Sequence, residues 1–342
     1  MTDLAFGVFD HLDRANQSML ALYDQRLKIV EQYDRAGFFA YHLAEHHSTP
    51  LGMAPSPSVF LSAIAQRTTR LRFGPFVWVL PLYHPLRMIS EICMLDQMSG
   101  GRFEMGFGRG ASPIELDYFG QNPAEAQKKY TEELEIVLQG LTQRALTYKG
   151  EYYSFDDVPV CLEPLQKPHP PIWYGVHATE SARRAARRGL NIVSLDRTDE
   201  TRAFVDAFLD EWRTVQRGRP IPMIGLGRFI VVAETDAAAD ALARRAYPVW
   251  NKSFNYLFVK TGTVPSIPRP PTYEAIHAEG KAVAGSPKTV AAFLNKQMAE
   301  AKCNYLVGQF AFGDLTLAET LHSIALFTDQ VMPALQRETV AS

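Results

Sequence analysis

Three of the nine histidines in this chain lie within six residues, in the segment His42-Leu-Ala-Glu45-His46-His47. A histidine beside a carboxylate can take up and release a proton near neutral pH, because imidazole titrates in that range. The same segment fits the H-x-x-E-H pattern of zinc enzymes, which needs a helix so that both histidines reach one metal. Because residues 38–43 read as a strand, we favour an active-site cluster over a zinc site, with solvated loop histidines as a third alternative.

A glycine-rich segment, Gly106-Phe-Gly108-Arg109-Gly110-Ala111, forms a second candidate site. It fits the nucleotide-binding pattern G-x-G-x-x-A, in which glycines let a ligand approach the backbone. The guanidinium of Arg109 offers a planar set of donors for a phosphate or a carbonyl group. Pro113 stands where a long phosphate-binding helix would begin, so a plain tight turn explains the glycines equally well.

A third candidate is His177-Ala178-Thr179-Glu180-Ser181, which opens an arginine-rich helix. Backbone N–H groups and hydroxyls at the start of a helix can bind an anion. Ordinary N-capping by Thr179 or Ser181 would use the same residues, and the sequence leaves both interpretations open.

Each of these segments follows a stretch that predicts a β-strand. Apolar runs rich in β-formers predict eight strands, at residues 4–9, 38–43, 71–80, 102–106, 172–175, 192–195, 224–233 and 305–310. Amphipathic stretches predict helices at residues 20–36, 58–67, 86–98, 124–141, 179–188, 200–217, 237–259, 287–301 and 317–335. Repeated βα units indicate a parallel sheet whose carboxyl edge carries the functional groups.

Eight such units favour an α/β fold of the (β/α)8 TIM-barrel type, in one domain over residues 1–342. Insertions are expected after the fourth and the seventh strand. A doubly wound open sheet has the same local pattern and remains the alternative. The proline-rich residues 261–271 are predicted to form a surface loop that acts as a lid.

Composition excludes several classes of function. The chain has 342 residues, 46% of them apolar, with 35 basic and 37 acidic side chains, so its charge gives no reason to expect a nucleic-acid partner. Its three cysteines match no CxxC pattern, so neither a disulfide scaffold nor a cysteine-rich metal site is expected. Because no apolar run approaches 18 residues, we expect a soluble, cytoplasmic protein that does not enter a membrane.

Longer blocks of sequence carry a family resemblance. They are Ala36-Gly-Phe-Phe-Ala-Tyr-His-Leu-Ala-Glu-His-His, Pro57-Ser-Val-Phe, Leu80-Pro-Leu-Tyr-His-Pro-Leu-Arg, Leu95-Asp-Gln-Met-Ser-Gly-Gly-Arg-Phe and Gly-Phe-Gly-Arg109-Gly, with weaker blocks at residues 188–190, 285–287 and 331–335. In this order they resemble bacterial luciferase and the luciferase-like flavin-dependent monooxygenases. The Glu-His-His and Leu-Asp-Gln-Met-Ser-x-Gly-Arg blocks are the specific ones.

The resemblance implies a (β/α)8 barrel that binds FMN at the carboxyl ends of its strands and works as a homodimer. In such enzymes reduced FMN, supplied by NAD(P)H or by a separate flavin reductase, reacts with dioxygen. The resulting flavin hydroperoxide oxygenates a small, apolar organic substrate. A deazaflavin-dependent oxidoreductase that transfers hydride and a non-catalytic flavin-binding subunit remain the alternatives.

The resemblance also implies roles for single residues. His46 would be catalytic and Glu45 would lie near the flavin. The flavin phosphate would bind to Arg109, between Gly108 and Gly110, and to the helix start at His177, Ala178 and Ser181. A non-prolyl cis peptide at Phe76–Val77 would lie under the isoalloxazine ring.

Two positions depart from luciferase. Gly108 replaces its reactive cysteine, and His177-Ala178 replaces a Glu-Ser pair at the phosphate, so light emission is not expected. Asp10-His11, after the first strand, has no luciferase counterpart and is expected to face the substrate. Substitution of His11 by alanine should therefore harm substrate turnover more than FMN affinity.

Overall fold

Parallel β-strands curl into a nearly closed barrel in the computed structural model, which describes residues 4–335. The predicted domain, residues 1–342, extends beyond this range at both ends. The strands of the described range are β1 (Ala5–Asp10), β2 (Ala40–Leu43), β3 (Arg72–Pro75), β4 (Trp78–Val79), β5 (Met105–Gly108), β6 (Ala145–Lys149), β7 (Ser154–Pro159), β8 (Ile172–Gly175), β9 (Asn191–Ser194), β10 (Ile224–Val232), β11 (Ala282–Gly285) and β12 (Tyr305–Gln309). β3 and β4 are two halves of one predicted strand, residues 71–80.

Neighbouring barrel strands pair in the order β3, β2, β1, β12, β10, β9, β8, β5 and β4, and every one of these pairs is parallel. The ring closes where β4 pairs with β5 and where Phe73 of β3 bridges to Phe103, just before β5. β11 pairs with the second half of β10. This closure confirms the barrel and excludes the doubly wound open sheet, which would leave two free edges.

Helices cover the outside of the barrel, and the long ones lie at the positions that amphipathic patterning predicts. In the described range they are α1 (Met19–Ala36), α2 (Pro57–Arg67), α3 (Pro85–Met98), α4 (Pro113–Tyr118), α5 (Ala126–Thr142), α6 (Thr179–Arg188), α7 (Thr198–Val215), α8 (Asp236–Thr261), α9 (Tyr273–Ala278), α10 (Pro287–Ala301) and α11 (Leu317–Leu326). The helix predicted over residues 317–335 departs from regular α-helix at Phe327–Val331, where one π turn interrupts it. Among residues 4–335, no helix combines the length and the apolar character that a membrane span needs.

The insertions after the fourth and seventh barrel strands contain elements that the patterns did not predict. The first holds α4 and the antiparallel hairpin of β6 and β7, and the second holds α9 and β11. α4 and α9 have six residues each, which is too short for helical periodicity to show. The hairpin strands lie on the surface with several polar residues, so they lack the apolar run of a buried strand.

Large side chains fill the inside of the barrel. Trp173 of β8 and Tyr305 of β12 are buried there with their rings 5.0 Å apart. A side chain at Gly7 of β1 would overlap the Tyr305 ring, so the glycine makes room for it. The barrel interior is therefore a packed core and not a pore. The carboxyl ends of the strands form a rim at one end of this core.

Candidate active site

The His-rich segment divides at the end of β2. Because strand residues alternate between the two faces, His42 points into the barrel, where its Nε2 lies 2.9 Å from the hydroxyl of Tyr305. Burial lowers the pKa of His42 to about 3, so the ring is neutral at physiological pH. His42 therefore cannot bind the same metal ion as His46, which lies at the rim. Within residues 4–335, no three His, Cys, Asp or Glu side chains come together as metal ligands.

Glu45 lies in the loop after β2 and is almost fully buried. Its Oε2 accepts a hydrogen bond from the N–H of Val79 (2.8 Å). Its Oε1 lies 2.7 Å from His47 Nε2 and accepts a bond from the Tyr83 hydroxyl (2.9 Å). Burial raises the pKa of Glu45, while these three partners oppose the rise. Glu45 thus fastens the His-rich loop to β4.

His46 is paired with Glu115, a residue of α4. His46 Nδ1 lies 3.1 Å from Glu115 Oε1, and the second oxygen of Glu115 accepts the N–H of His47 at 2.9 Å. Within the described residues Nε2 of His46 has no hydrogen-bond partner, and the side chain is 22% exposed. A carboxylate on one ring nitrogen orients the imidazole and leaves the other nitrogen free to exchange a proton.

Glu115 was not predicted from the sequence, although a signal for it exists. Ser112-Pro113-Ile-Glu115 has a helix cap, a proline at the first helical position and an acid at the third. In the structure the Ser112 hydroxyl accepts the N–H of Glu115 (3.3 Å), as this pattern predicts. The start of a six-residue helix could be found from that signal, but its long-range contact with His46 could not.

His11 lies beside His46, and the two rings stack with centroids 5.7 Å apart. Its Nδ1 is 2.9 Å from the side-chain amide nitrogen of Gln309, which leaves Nε2 to carry the proton. Burial above all, and then the neighbouring charges of His46 and Arg269, hold the pKa of His11 well below its usual range. His11 is therefore a neutral hydrogen-bond donor, not a proton carrier, at physiological pH.

The peptide bond between Phe76 and Val77 is cis, as predicted, and lies between β3 and β4. Gly108, at the end of the neighbouring β5, packs against Val77, and a Cβ atom there would come within 2.5 Å of a Val77 methyl. A cysteine at position 108, as in luciferase, would have to displace this valine. Arg109 follows with its side chain exposed at the rim, and Gly110 has a φ of +93°, a conformation that favours glycine.

The start of α6 lies next to Arg109 along the rim, because β5 and β8 are neighbours in the barrel. Ala178 is the N-cap, so no side chain caps the helix. The Ser181 hydroxyl accepts the N–H of Ala178 (3.2 Å) and donates to its carbonyl (2.6 Å). Capping by Thr179 does not occur, and the exposed first turn of α6 can offer N–H groups to an anion.

His177, just before α6, is held by Asp196 at the end of β9, with 2.7 Å between Nδ1 and Oδ2. Burial alone would raise the pKa of Asp196, but the hydrogen bond and charge of His177, together with the charges of Arg269 and Lys281, hold that pKa below its usual range. The structure thus brings the predicted residues to one rim in two groups. His46, Glu45 and His11 form one, and Arg109 with the start of α6 forms the other.

Comparison with known proteins supports this arrangement. Residues 4–301 match the sequence profile of the luciferase-like monooxygenases. The chain is 42% identical over 334 residues to protein y4wF of Sinorhizobium fredii, covering 96% of both chains. It is 27% identical over 338 residues to limonene 1,2-monooxygenase of Rhodococcus erythropolis, covering 94% of this chain and 83% of that one.

Its fold is also that of a solved flavoprotein. The oxygenating constituent of 3,6-diketocamphane monooxygenase from Pseudomonas putida, a type II Baeyer–Villiger monooxygenase in complex with FMN, superposes with a TM-score of 0.78. The two sequences are 20% identical, and the superposition covers 97% of this chain and 98% of the other.

Proposed function

Because the chain belongs to the luciferase-like monooxygenase family, we propose that it is an FMN-dependent monooxygenase acting on a small organic substrate. The observation that carries the proposal is the convergence of two groups at one rim. The pair of His46 and Glu115 can hold and move a proton, and Arg109 with the start of α6 can hold an anion. A flavin oxygenase needs both functions next to each other.

The rim fits the phosphate end of FMN. Within residues 4–335 the Arg109 guanidinium forms no hydrogen bond or ion pair, so its donors are available for an anion. Ser181 accepts the N–H of Ala178, but the N-cap side chain of Ala178 caps none of the following amides of α6, and Gly108 adds no side chain that would cover Val77. When bound, reduced FMN supplies the electrons that activate dioxygen for transfer of one oxygen atom.

The residues of the His-rich loop then have separate tasks. Glu115 fixes the ring of His46 through Nδ1, and Nε2, which has no partner among the described residues, exchanges the proton of the reaction. Glu45 holds the loop against β4 and acts as a positioning residue. Phe76 and Phe9 are buried, and their rings meet edge to face at 5.9 Å. They help to exclude water from the space below the rim.

We also propose that a separate flavin reductase supplies the reduced FMN from NAD(P)H. The support is α4, which follows the glycine-rich segment but has only six residues and begins at Pro113. A dinucleotide-binding turn leads into a long helix whose amides hold the pyrophosphate, and α4 does not provide one. Dioxygen and the organic substrate are then the other reactants, while the homodimer and the cytoplasmic location stay predictions.

The test compares FMN with riboflavin, which lacks the phosphate. We expect the wild-type protein to bind FMN at least about tenfold more tightly than riboflavin, since a charged hydrogen bond contributes about 1.5–3 kcal/mol. Arg109→Gln should remove most of this difference and leave riboflavin affinity unchanged. Arg217→Gln is the matched control, because Arg217 is exposed between α7 and β10, at the opposite end of the barrel.

Anaerobic titrations with the oxidised and the reduced flavins complete the experiment. Failure of the protein to bind FMN in either state would overturn the proposal. Binding of a reduced deazaflavin in place of reduced FMN would favour the alternative, a hydride-transferring oxidoreductase.

A further inference from the structure

The loop between α8 and α9, residues 262–272, is bound to α8 through its backbone carbonyl groups. The Tyr247 hydroxyl donates to the carbonyl of Pro270 at 2.9 Å. The side-chain amide of Asn251 donates to the same carbonyl at 2.9 Å and to that of Arg269 at 3.2 Å. Asn251 is buried, so these bonds are shielded from water and hold Arg269 in a defined place.

The side chain of Arg269 is half-buried but has no partner. Within residues 4–335 its guanidinium takes part in no hydrogen bond or ion pair. The acid whose pKa its charge helps to lower, Asp196, is already bonded to His177. A guanidinium that is partly shielded from water and has no counterion among these residues is available to bind an anionic ligand.

Arg269 lies over the arc of the rim formed by β1, β12, β10 and β9. Asn251, which binds the Arg269 carbonyl, follows Trp250, and the Trp250 ring packs on His11 just after β1. The charge of Arg269 also contributes to the lowered pKa values of His11 and of Asp196, which follows β9. Arg109 follows β5, on the other arc of the ring. The two arginines therefore lie on different arcs of the rim, and a group held by Arg269 is separate from the phosphate expected at Arg109.

Aromatic side chains form a wall beside His11, next to the loop that carries Arg269. The ring of Trp250 meets His11 edge to face at 5.5 Å, and Phe229 and Phe254 pack on Trp250 at 4.7 and 5.4 Å. A ligand on this side would meet an apolar surface, the Nε2–H of His11 as a neutral donor, and one cation. That combination suits an apolar molecule with a single anionic end.

We propose that Arg269 is a specificity residue that binds the carboxylate of an apolar organic acid, which is the substrate class of this enzyme. The planar donor set of arginine matches a carboxylate, and the aromatic wall takes the apolar body. The inference rests on the proposed function and narrows its substrate from small apolar molecules to carboxylates with an apolar body.

The experiment measures the binding of matched acids and amides to the FMN-loaded protein by calorimetry. The probes are benzoate with benzamide and octanoate with octanamide, so each pair differs mainly in charge. We expect wild-type protein to bind at least one acid tenfold or more tightly than its amide. Arg269→Gln should remove the preference, Arg269→Lys should keep part of it, and Arg217→Gln should leave it unchanged.

Each other outcome has a distinct meaning. Equal binding of acids and amides by the wild-type protein, or binding of neither acid, would overturn the role of Arg269 even if FMN binds as proposed. An unchanged preference in Arg269→Gln together with weakened FMN binding would assign Arg269 to the cofactor phosphate and also overturn it. Failure of the wild-type protein to bind FMN would refute the proposed function itself.

Discussion

The inside of the barrel and its rim hold the same types of polar residue in different surroundings. Inside, buried Glu104 bonds to Arg72 and to the indole N–H of Trp173, and His42 bonds to Tyr305. At the rim, His46 is bonded to Glu115 and His177 to Asp196, with the histidine side chains 22% and 44% exposed. Residue type alone therefore does not separate structural from catalytic groups.

Access to water is what separates them. Burial raises the pKa of Glu104 and lowers that of His42 to about 3, so both interior groups are held in environments that disfavour their charged forms. Their bonds join different strands: His42 of β2 meets Tyr305 of β12, and Arg72 of β3 meets Glu104 beside β5. The interior pairs hold the strands in register, whereas the rim pairs stay available for chemistry.

The largest effect is expected at His46. Asparagine there keeps a group near the Nδ1 position for the bond to Glu115 but cannot carry the proton, so oxygenation should slow by roughly 10²- to 10³-fold. The rate of product formation in a single turnover of the protein loaded with reduced FMN measures this loss, with His322→Asn, at an exposed histidine on α11, as the control. A loss below threefold would show that His46 is not the proton carrier.

Loss of an interior pair should instead reduce stability. Arg72→Met leaves buried Glu104 without its cation, which should lower the free energy of unfolding by about 3 kcal/mol. Arg87→Met is the matched control, because Arg87 is 76% exposed in its pair with Glu91 and exposed pairs contribute less than about 1 kcal/mol. Urea denaturation measures both variants, and equal losses would remove the distinction between interior and surface pairs.

His11 tests the border between the two regions, because it is buried yet touches His46. Its replacement by alanine removes a neutral hydrogen-bond donor and an aromatic contact. Substrate turnover should therefore fall roughly tenfold, as expected for the loss of one hydrogen bond. FMN affinity should change less than turnover. A variant with weakened FMN binding and normal turnover would place His11 on the cofactor instead.

The smallest effect concerns pH. Because the pKa of His42 is about 3 in the folded protein, below its value in the unfolded chain, only the unfolded chain takes up this proton between these values. Stability should therefore fall as pH decreases, with His42 contributing a loss of about 1 kcal/mol between pH 7 and 5.5. Denaturation at both pH values should show a smaller decrease for His42→Gln, and an identical decrease would mean that the ring takes up its proton as readily in the folded protein as in the unfolded chain.

The barrel could be predicted because each strand and long helix carries its own pattern. The helix ends at Gly37 and Gly189, for example, follow from glycine at left-handed positions after an amphipathic stretch. The His-rich segment was found as a cluster, and the strand predicted over residues 38–43 already separated His42 from His46. The inward direction of His42 was not predicted, because the sequence does not tell which face of the strand is turned to the barrel interior. Glu115 and Arg269 lie in the two insertions, and their contacts with the rim depend on long-range packing that no local pattern encodes.

The central claim is that this rim binds reduced FMN and controls its reaction with oxygen. Rapid mixing of the anaerobic protein, loaded with reduced FMN, with oxygenated buffer follows that reaction by flavin absorbance. We predict a time course that differs from that of free reduced FMN and that changes in His46→Asn. A time course identical to that of free FMN, in both proteins, would contradict the account.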